Sequence, residues 1–253
     1  MSNQKNVISN EPLEIPAVAK PVYSKKIWAL RVAIYLIGLF ILAFAVSISV
    51  RSNLGVSPVS SVPFVFSKVF GIEFGNMTII EFSFYVLLQI IILRKKFKWI
   101  QLLQVACAVI FGKFVTLTSS LIAGWTPQSY LEQLGMILLA TVLIATGLKL
   151  YLLGDLVPQA ADGLVQTISR KWGFKIANVK NIFDICSITV AASVSLLVKG
   201  QILGLREGTV IAALGVGRVL ALWNWLDNGG LHKLIYGNPE ETPTKMIAQE
   251  EHV

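Results

Sequence analysis

The sequence predicts an all-α polytopic membrane protein: two inverted repeats of three transmembrane helices, each with one further broken, re-entrant helical segment. Three observations predict it. Nearly uncharged runs of about 20 residues recur along the chain, each long enough to cross a bilayer. Only 14% of the 253 residues are charged, against about 25% in soluble domains, while 55% are hydrophobic and mean hydropathy is +0.68. The third is a colinear series of matches between the two halves of the chain. This composition excludes a disordered chain, a disulfide-knitted secreted module and an ordinary soluble enzyme.

In chain order, residues 1–24 are polar and Pro-containing and read as a flexible cytoplasmic tail. Six spans follow, at about 28–50, 77–93, 100–122, 133–153, 179–198 and 207–226. The first apolar run, Ile27 to Val50, is too long for a signal peptide and has no small-residue cleavage site after it, so no cleaved leader is expected. Segments 54–72 and 153–174 are too polar to face lipid. Ser57-Pro58, Ser60-Ser61 and Pro63 interrupt the first; Asp155, Pro158, Gln159, Asp162 and Gly163 interrupt the second. Irregular backbone at membrane depth survives only where it lines a cavity or packs on protein. Both segments therefore read as re-entrant, with amphipathic helices lying flat in the interface, anchored by Phe70 and Trp172, as the alternative. Residues 227–253 form a second polar tail.

The repeat units are 25–122 and 131–226. Leu54-Gly55 matches Leu153-Gly154, and Pro58 matches Pro158. Ser67-Lys68 matches Ser169-Arg170, Phe70-Gly71 matches Trp172-Gly173, Asn76 matches Asn178, and Gly112-Lys113 matches Gly217-Arg218. The offset drifts from 99 to 102 to 105, as small insertions would make it do. With re-entrant segments each half has three crossings, and an odd number inverts one half relative to the other. Fully crossing segments would give eight spans and parallel halves. Positive charge arbitrates. With Lys25 and Lys26 in the cytoplasm, six spans put Arg94, Lys95, Lys96 and Lys98 inside, with Arg170, Lys171, Lys175 and Lys180. The eight-span alternative puts residues 94–98 outside. Six spans with both termini cytoplasmic is the favoured reading.

The net charge of +8 sits at span ends, where it orients the chain and touches anionic headgroups. Nucleic acid is not an expected partner; membrane lipid is. Cys107 and Cys186 lie in apolar runs and read as small buried hydrophobes. His232 and His252 lie in the C-terminal tail. No HExxH, Cys–His pair or metal cluster is present in the sequence. Hence no catalytic residue, metal or cofactor is expected, and the chain does not read as an enzyme.

Three sets of residues could carry a function. First, Pro58 and Pro158 suit the first turn of short helices, with Ser57 and Asp155 upstream as capping residues. Such helix starts would aim N–H groups into the membrane interior, beside Ser60, Ser61, Gln159 and Asp162. Second, Lys113 and Arg218 fall midway along spans, where a cation costs on the order of 3 kcal/mol. They either bind an anionic solute or pair with Glu81 and Asp184. Third, Asp155, Asp162, Asp184, Glu81 and Glu207 are acids that could couple a proton or Na⁺, or sit at headgroup level beside Arg170 or Arg206.

At Leu54-Gly55-x-x-Pro58, at Gly154-Asp155 with Pro158 and Asp162-Gly163, and at Arg206-Glu207-Gly208-Thr209 with Gly217, the chain resembles the bacterial YczE/YyaS/YitT-type integral membrane proteins. The resemblance covers about residues 28–226. The short C-terminal tail places the chain nearer the YczE type than the YitT type, whose members carry a soluble C-terminal domain. The resemblance implies the bacterial plasma membrane and assigns no substrate. Duplication, broken segments and mid-span charges lead to a small secondary transporter of an organic anion or zwitterion, working by alternating access between the repeats. The alternative is a non-transporting membrane partner in the assembly or regulation of another complex. Self-association into a homo-oligomer is compatible with both.

Overall fold

A computed structural model describes residues 25–236, all helix and connections. The tail at 1–24 and the chain beyond 236, His252 included, lie outside the described residues.

Among the described residues nine α-helices follow one another: α1 (Lys25–Ser52), α2 (Pro58–Phe70), α3 (Phe74–Leu93), α4 (Leu103–Leu121), α5 (Tyr130–Gly154), α6 (Ala160–Trp172), α7 (Ile176–Lys199), α8 (Glu207–Asp227) and α9 (Gly230–Tyr236). Two 3₁₀ turns, Arg94–Lys96 and Trp99–Leu102, join α3 to α4. The six long helices α1, α3, α4, α5, α7 and α8 are long and apolar enough to cross a membrane. Helices α2 and α6 have 13 residues each. At 1.5 Å per residue they reach about 20 Å, short of the roughly 30 Å hydrocarbon layer.

The order long, short, long, long occurs twice. Local chemistry sets the short helices. Pro58 occupies the first turn of α2, where its missing N–H costs nothing. Gly71 and Gly173 end α2 and α6 in the left-handed conformation, at φ 69° and 72°. Asn53 (φ 56°) and Asp155 (φ 45°) likewise turn the chain out of α1 and α5.

These boundaries correct the register of the sequence matches. Asn53 to Asp155, the starts of α2 (58) and α6 (160), Gly71 to Gly173, and the starts of α3 (74) and α7 (176) are all 102 apart. Leu54-Gly55 and Leu153-Gly154 are therefore not equivalent: Gly154 closes α5, whereas Gly55 lies in the extended connection at φ 114°. Pro158 precedes the N-cap residue Gln159 instead of opening a helix. Pro58 corresponds to Ala160, and Pro158 to Val56.

Helices α1 and α5 form the most extensive contact and run antiparallel. Arg31 lies at Gly154, Gly38 at Gly147 and Tyr151, and Ile48 with Met136 and Ala140. A Cβ on Gly38 would sit 2.4 Å from the Tyr151 backbone nitrogen, and one on Gly147 2.8 Å from that of Leu42. Around this pair, α4 packs on α1 and α8 on α5, while α2 packs on α7 and α3 on α6. The exchange has one exception. Helix α3 seats on α4, where a Cβ on Gly75 would lie 2.3 Å from the Gly112 carbonyl, but α7 barely touches α8, and a Cβ on Gly217 would meet nothing within 4 Å.

Lys25, Arg94–Lys98 and Arg170–Lys171 gather at one end of the bundle, the basic end. There α9 occupies part of what reads in sequence as tail: the Tyr236 hydroxyl donates to the Leu153 carbonyl at 2.8 Å.

Valine at Gly38 or Gly147 should destabilise the protein by about 1–3 kcal/mol through overpacking. Alanine at Gly217 should be neutral or slightly stabilising, as the better helix former in open space. Thermal unfolding of the three purified variants checks this; an unchanged melting temperature for Gly38→Val would contradict the close crossing.

Candidate functional site

A cavity of about 360 Å³ lies midway along the long helices, bounded by Leu42 of α1, Phe82 of α3, Phe111 of α4, Ile144 of α5 and Ala212 of α8. The starts of both short helices enter it: Ser57, Pro58 and Ser60 from α2, Gln159 and Asp162 from α6. Lys180, Asn181 and Asp184 of α7 complete its polar wall.

Its charges are coupled through α7. Lys180 Nζ lies 3.2 Å from Asp184 Oδ1, one helical turn on, and 4.0 Å from Asp162 Oδ1. The Tyr151 hydroxyl donates to Asp162 Oδ2 at 2.9 Å. Two carboxylates thus share one ammonium. The two helix starts add positive potential, because neither is capped by its own side chain. Ser57 Oγ bonds instead to Ser60 Oγ at 3.1 Å. Gln159 Nε2 is buried with no hydrogen-bond partner among the described residues. The start of α6 is held by Gln89, which donates to the Ala160 carbonyl at 3.2 Å while paired with Gln104 at 2.9 Å.

Of the residues singled out in sequence, the cavity gathers Ser57, Pro58, Ser60, Gln159, Asp162 and Asp184. Ser61 is fully buried and returns its hydroxyl to the Pro58 carbonyl. Lys113 and Arg218 are a correction: both are exposed and neither reaches the cavity. Lys113 Nζ extends to Asn76 Oδ1 at 3.4 Å, so a long stem brings a mid-span ammonium toward a helix end. The ion pairs with Glu81 and Asp184 are absent too, since Asp184 takes Lys180. Glu81 accepts the Tyr85 hydroxyl at 2.6 Å and lies on a separate apolar groove. Asp155 is not a helix cap for α6; its carboxylate is 82% exposed at the end of α5. Lys180, which reads in sequence only as an orienting cation, and Tyr151 and Arg31 are not among the site residues the sequence singles out. Only the i, i+4 spacing of Lys180 and Asp184 could have signalled the first.

The connections before α2 and α6 are secured differently. Val56 N–H donates to the Gly204 carbonyl at 2.9 Å and Gly208 N–H to the Leu54 carbonyl at 2.8 Å. Arg206 adds a bond to the Asn53 carbonyl at 3.3 Å. This backbone seam closes the end opposite the basic one. At the basic end the residue equivalent to Val56 is Pro158, which has no N–H to give. There side chains hold the connection. Arg31 donates to the carbonyls of Gly154 and Asp155, and the Tyr35 hydroxyl to the Val157 carbonyl at 2.8 Å. A cavity of about 370 Å³ lies beside Leu156, Val157 and Pro158.

The model of a family of unknown function, DUF6198, matches residues 29–225, and the chain belongs to that family. It is 26% identical over 192 residues to the uncharacterized membrane protein YczE of Bacillus subtilis (strain 168), covering 76% of this chain and 84% of that protein. No solved structure matches.

Arg31 serves two backbone carbonyls, and its contact with Asp155 Oδ2 is a long 3.4 Å. Arg31→Met should therefore cost about 2–3 kcal/mol, by leaving buried carbonyls unpaired. Asp155→Asn should cost less than about 1 kcal/mol, as for an exposed ion pair. Chemical or thermal unfolding of both variants tests this ordering.

Proposed function

We propose that this DUF6198 protein is a small secondary transporter of the bacterial plasma membrane, moving a small zwitterion by alternating access between two inverted, three-span repeats. The observation that carries this reading is the convergence of two short-helix starts and the Asp162–Lys180–Asp184 cluster on one mid-span cavity. Broken helices meeting at the midplane of duplicated halves are the common architecture of solute sites in secondary transporters.

Inversion is supported by the antiparallel course of α1 and α5, because equivalent helices run oppositely only when the relating axis lies in the membrane plane. Helices α2 and α6 then act as re-entrant segments: each starts at mid-depth and runs back toward the end where the preceding long helix finished. The basic end faces the cytoplasm, in keeping with the positive-inside rule, and both termini lie there.

The charge pattern favours a zwitterion over a simple anion. Lys180 offsets one of the two carboxylates and leaves the other for a substrate ammonium. The uncapped first turn of α2, with Ser57 and Ser60, suits a carboxylate. Lys113 and Arg218, the cations an anion site would have used, lie elsewhere.

One observation favours a second reading. Arg218 lies exposed midway along α8, where lipid would penalise it. A neighbouring membrane protein or a second copy would relieve that penalty, as an assembly or regulatory partner requires.

Uptake of a panel of small zwitterions into proteoliposomes tests the first reading. Asp162→Asn and Lys180→Met should each reduce flux at least tenfold, about 1.4 kcal/mol or more, while Lys113→Ala and Arg218→Ala stay within about threefold of the parent, less than 1 kcal/mol. Unimpaired flux in Asp162→Asn would remove the cavity from the mechanism. Absence of flux across the panel, with stoichiometric copurification of one membrane protein lost in Arg218→Ala, would favour the second.

A further inference from the structure

At the basic end, two chain segments distant in sequence bring six cations together. Arg94, Lys95 and Lys96 face Arg170 and Lys171 across a cavity of about 620 Å³. Lys96, Lys98 and Arg170 also border the adjoining cavity of about 370 Å³. The segments are joined directly, since Lys171 Nζ donates to the Ile92 carbonyl at 2.9 Å. Arg94 supplies the bend: at φ 49° it turns the chain out of α3 and into the 3₁₀ turn. No Asp or Glu lines either cavity, and none of the six cations forms an ion pair among the described residues. The orienting rule for membrane proteins asks only for Lys and Arg near a span end. It does not ask that they converge on one hollow without a counter-charge. Like charges held so close repel, and an anion in the hollow relieves that repulsion.

The surroundings indicate what kind of anion. Ile100, 63% exposed, lines the smaller cavity; Trp99 (82% exposed) follows Lys98 in the chain, and Trp172 (51% exposed) has its ring centroid 4.9 Å from the Lys171 ammonium. Exposed indoles beside span ends belong at the boundary of headgroups and acyl chains. A ligand here has its charge among the cations and its apolar part against these rings.

We propose that this hollow is a binding site for the phosphate-bearing headgroup of an anionic phospholipid. It is independent of the transport reading, because none of these six residues lines the mid-span cavity. A bound headgroup would also bear on the start of α6, since Leu156, Val157 and Pro158 form a wall of the smaller cavity.

The full-length protein in detergent is titrated with phosphatidylglycerol, cardiolipin or phosphatidylcholine, and separately with inorganic phosphate and pyrophosphate. Thermal unfolding and native mass spectrometry are the readouts. The expected result is stabilisation and retention of the anionic lipids alone. The double variant Lys96→Gln/Arg170→Gln should weaken their binding at least tenfold, about 1.4 kcal/mol. The control Lys68→Gln/Lys199→Gln, with the same loss of charge away from the hollow, should not. Equal effects of phosphatidylcholine, equal weakening in the control, or stabilisation by free phosphate matching that by lipid would overturn the proposal. Should the double variant fail to fold, salt decides on the parent protein: the lipid effect must fall steeply with added NaCl, and a salt-independent effect overturns the site.

Discussion

Everything in this bundle hangs on the approach of α1 to α5. At Gly38 and Gly147 each backbone occupies the space a neighbour's side chain would need, so the two longest contact surfaces meet with almost nothing between them. Without a hydrophobic drive between helices in lipid, such close packing is the main attraction available. It brings the centres of both helices together. It thereby fixes where α4 and α8 can lie and leaves the mid-span space that α2 and α6 enter. Glycine is required here by its missing side chain, since neither residue is at a positive φ.

The second constraint is satisfaction of polar groups away from water. Breaking a helix at membrane depth frees carbonyls and amides that must find partners. One break is closed by the backbone of the connection leading into α8. The other is closed by an arginine and two tyrosines, with Gln89 and Gln104 fixing the helix that follows. Within the first half, Ser47 Oγ and Thr118 Oγ1 meet at 2.8 Å between α1 and α4. Some polar residues of the long helices thus tie helices together and others open onto the cavity, and only position in space separates these two kinds.

That division explains what was legible in the sequence. The long helices stand out because twenty apolar residues admit few other readings, and the short ones because proline, serine and glycine interrupt them. Ser57, Ser60, Gln159 and Asp162 were found for the same reason. The register was not: a Leu-Gly pair and a proline recur at nearly the right spacing, yet the true equivalences run through helix ends such as Asn53 and Asp155, which differ in identity and agree only in conformation. Lys113 and Arg218 look alike as mid-span cations, but the direction a side chain takes from its helix has no trace in a single sequence. Lys180 seemed one more basic residue near a span end until the hairpin of α6 and α7 set it against Asp162. Arg31 is invisible for a similar reason, because its partners are carbonyls more than a hundred residues away.

Pro158 has a thermodynamic consequence. In a molecule whose halves were chemically identical, the conformers open to either side would be equally populated. Here one half can make an amide-to-carbonyl bond that the other lacks the hydrogen for. The Pro158 side is shut instead by the Arg31 and Tyr35 side chains. A neutral bond is worth about 1 kcal/mol net and one to a charged group about 1.5–3 kcal/mol. The two breaks are therefore held by different chemistry, and loss of the Arg31 guanidinium would loosen one of them and leave the other intact.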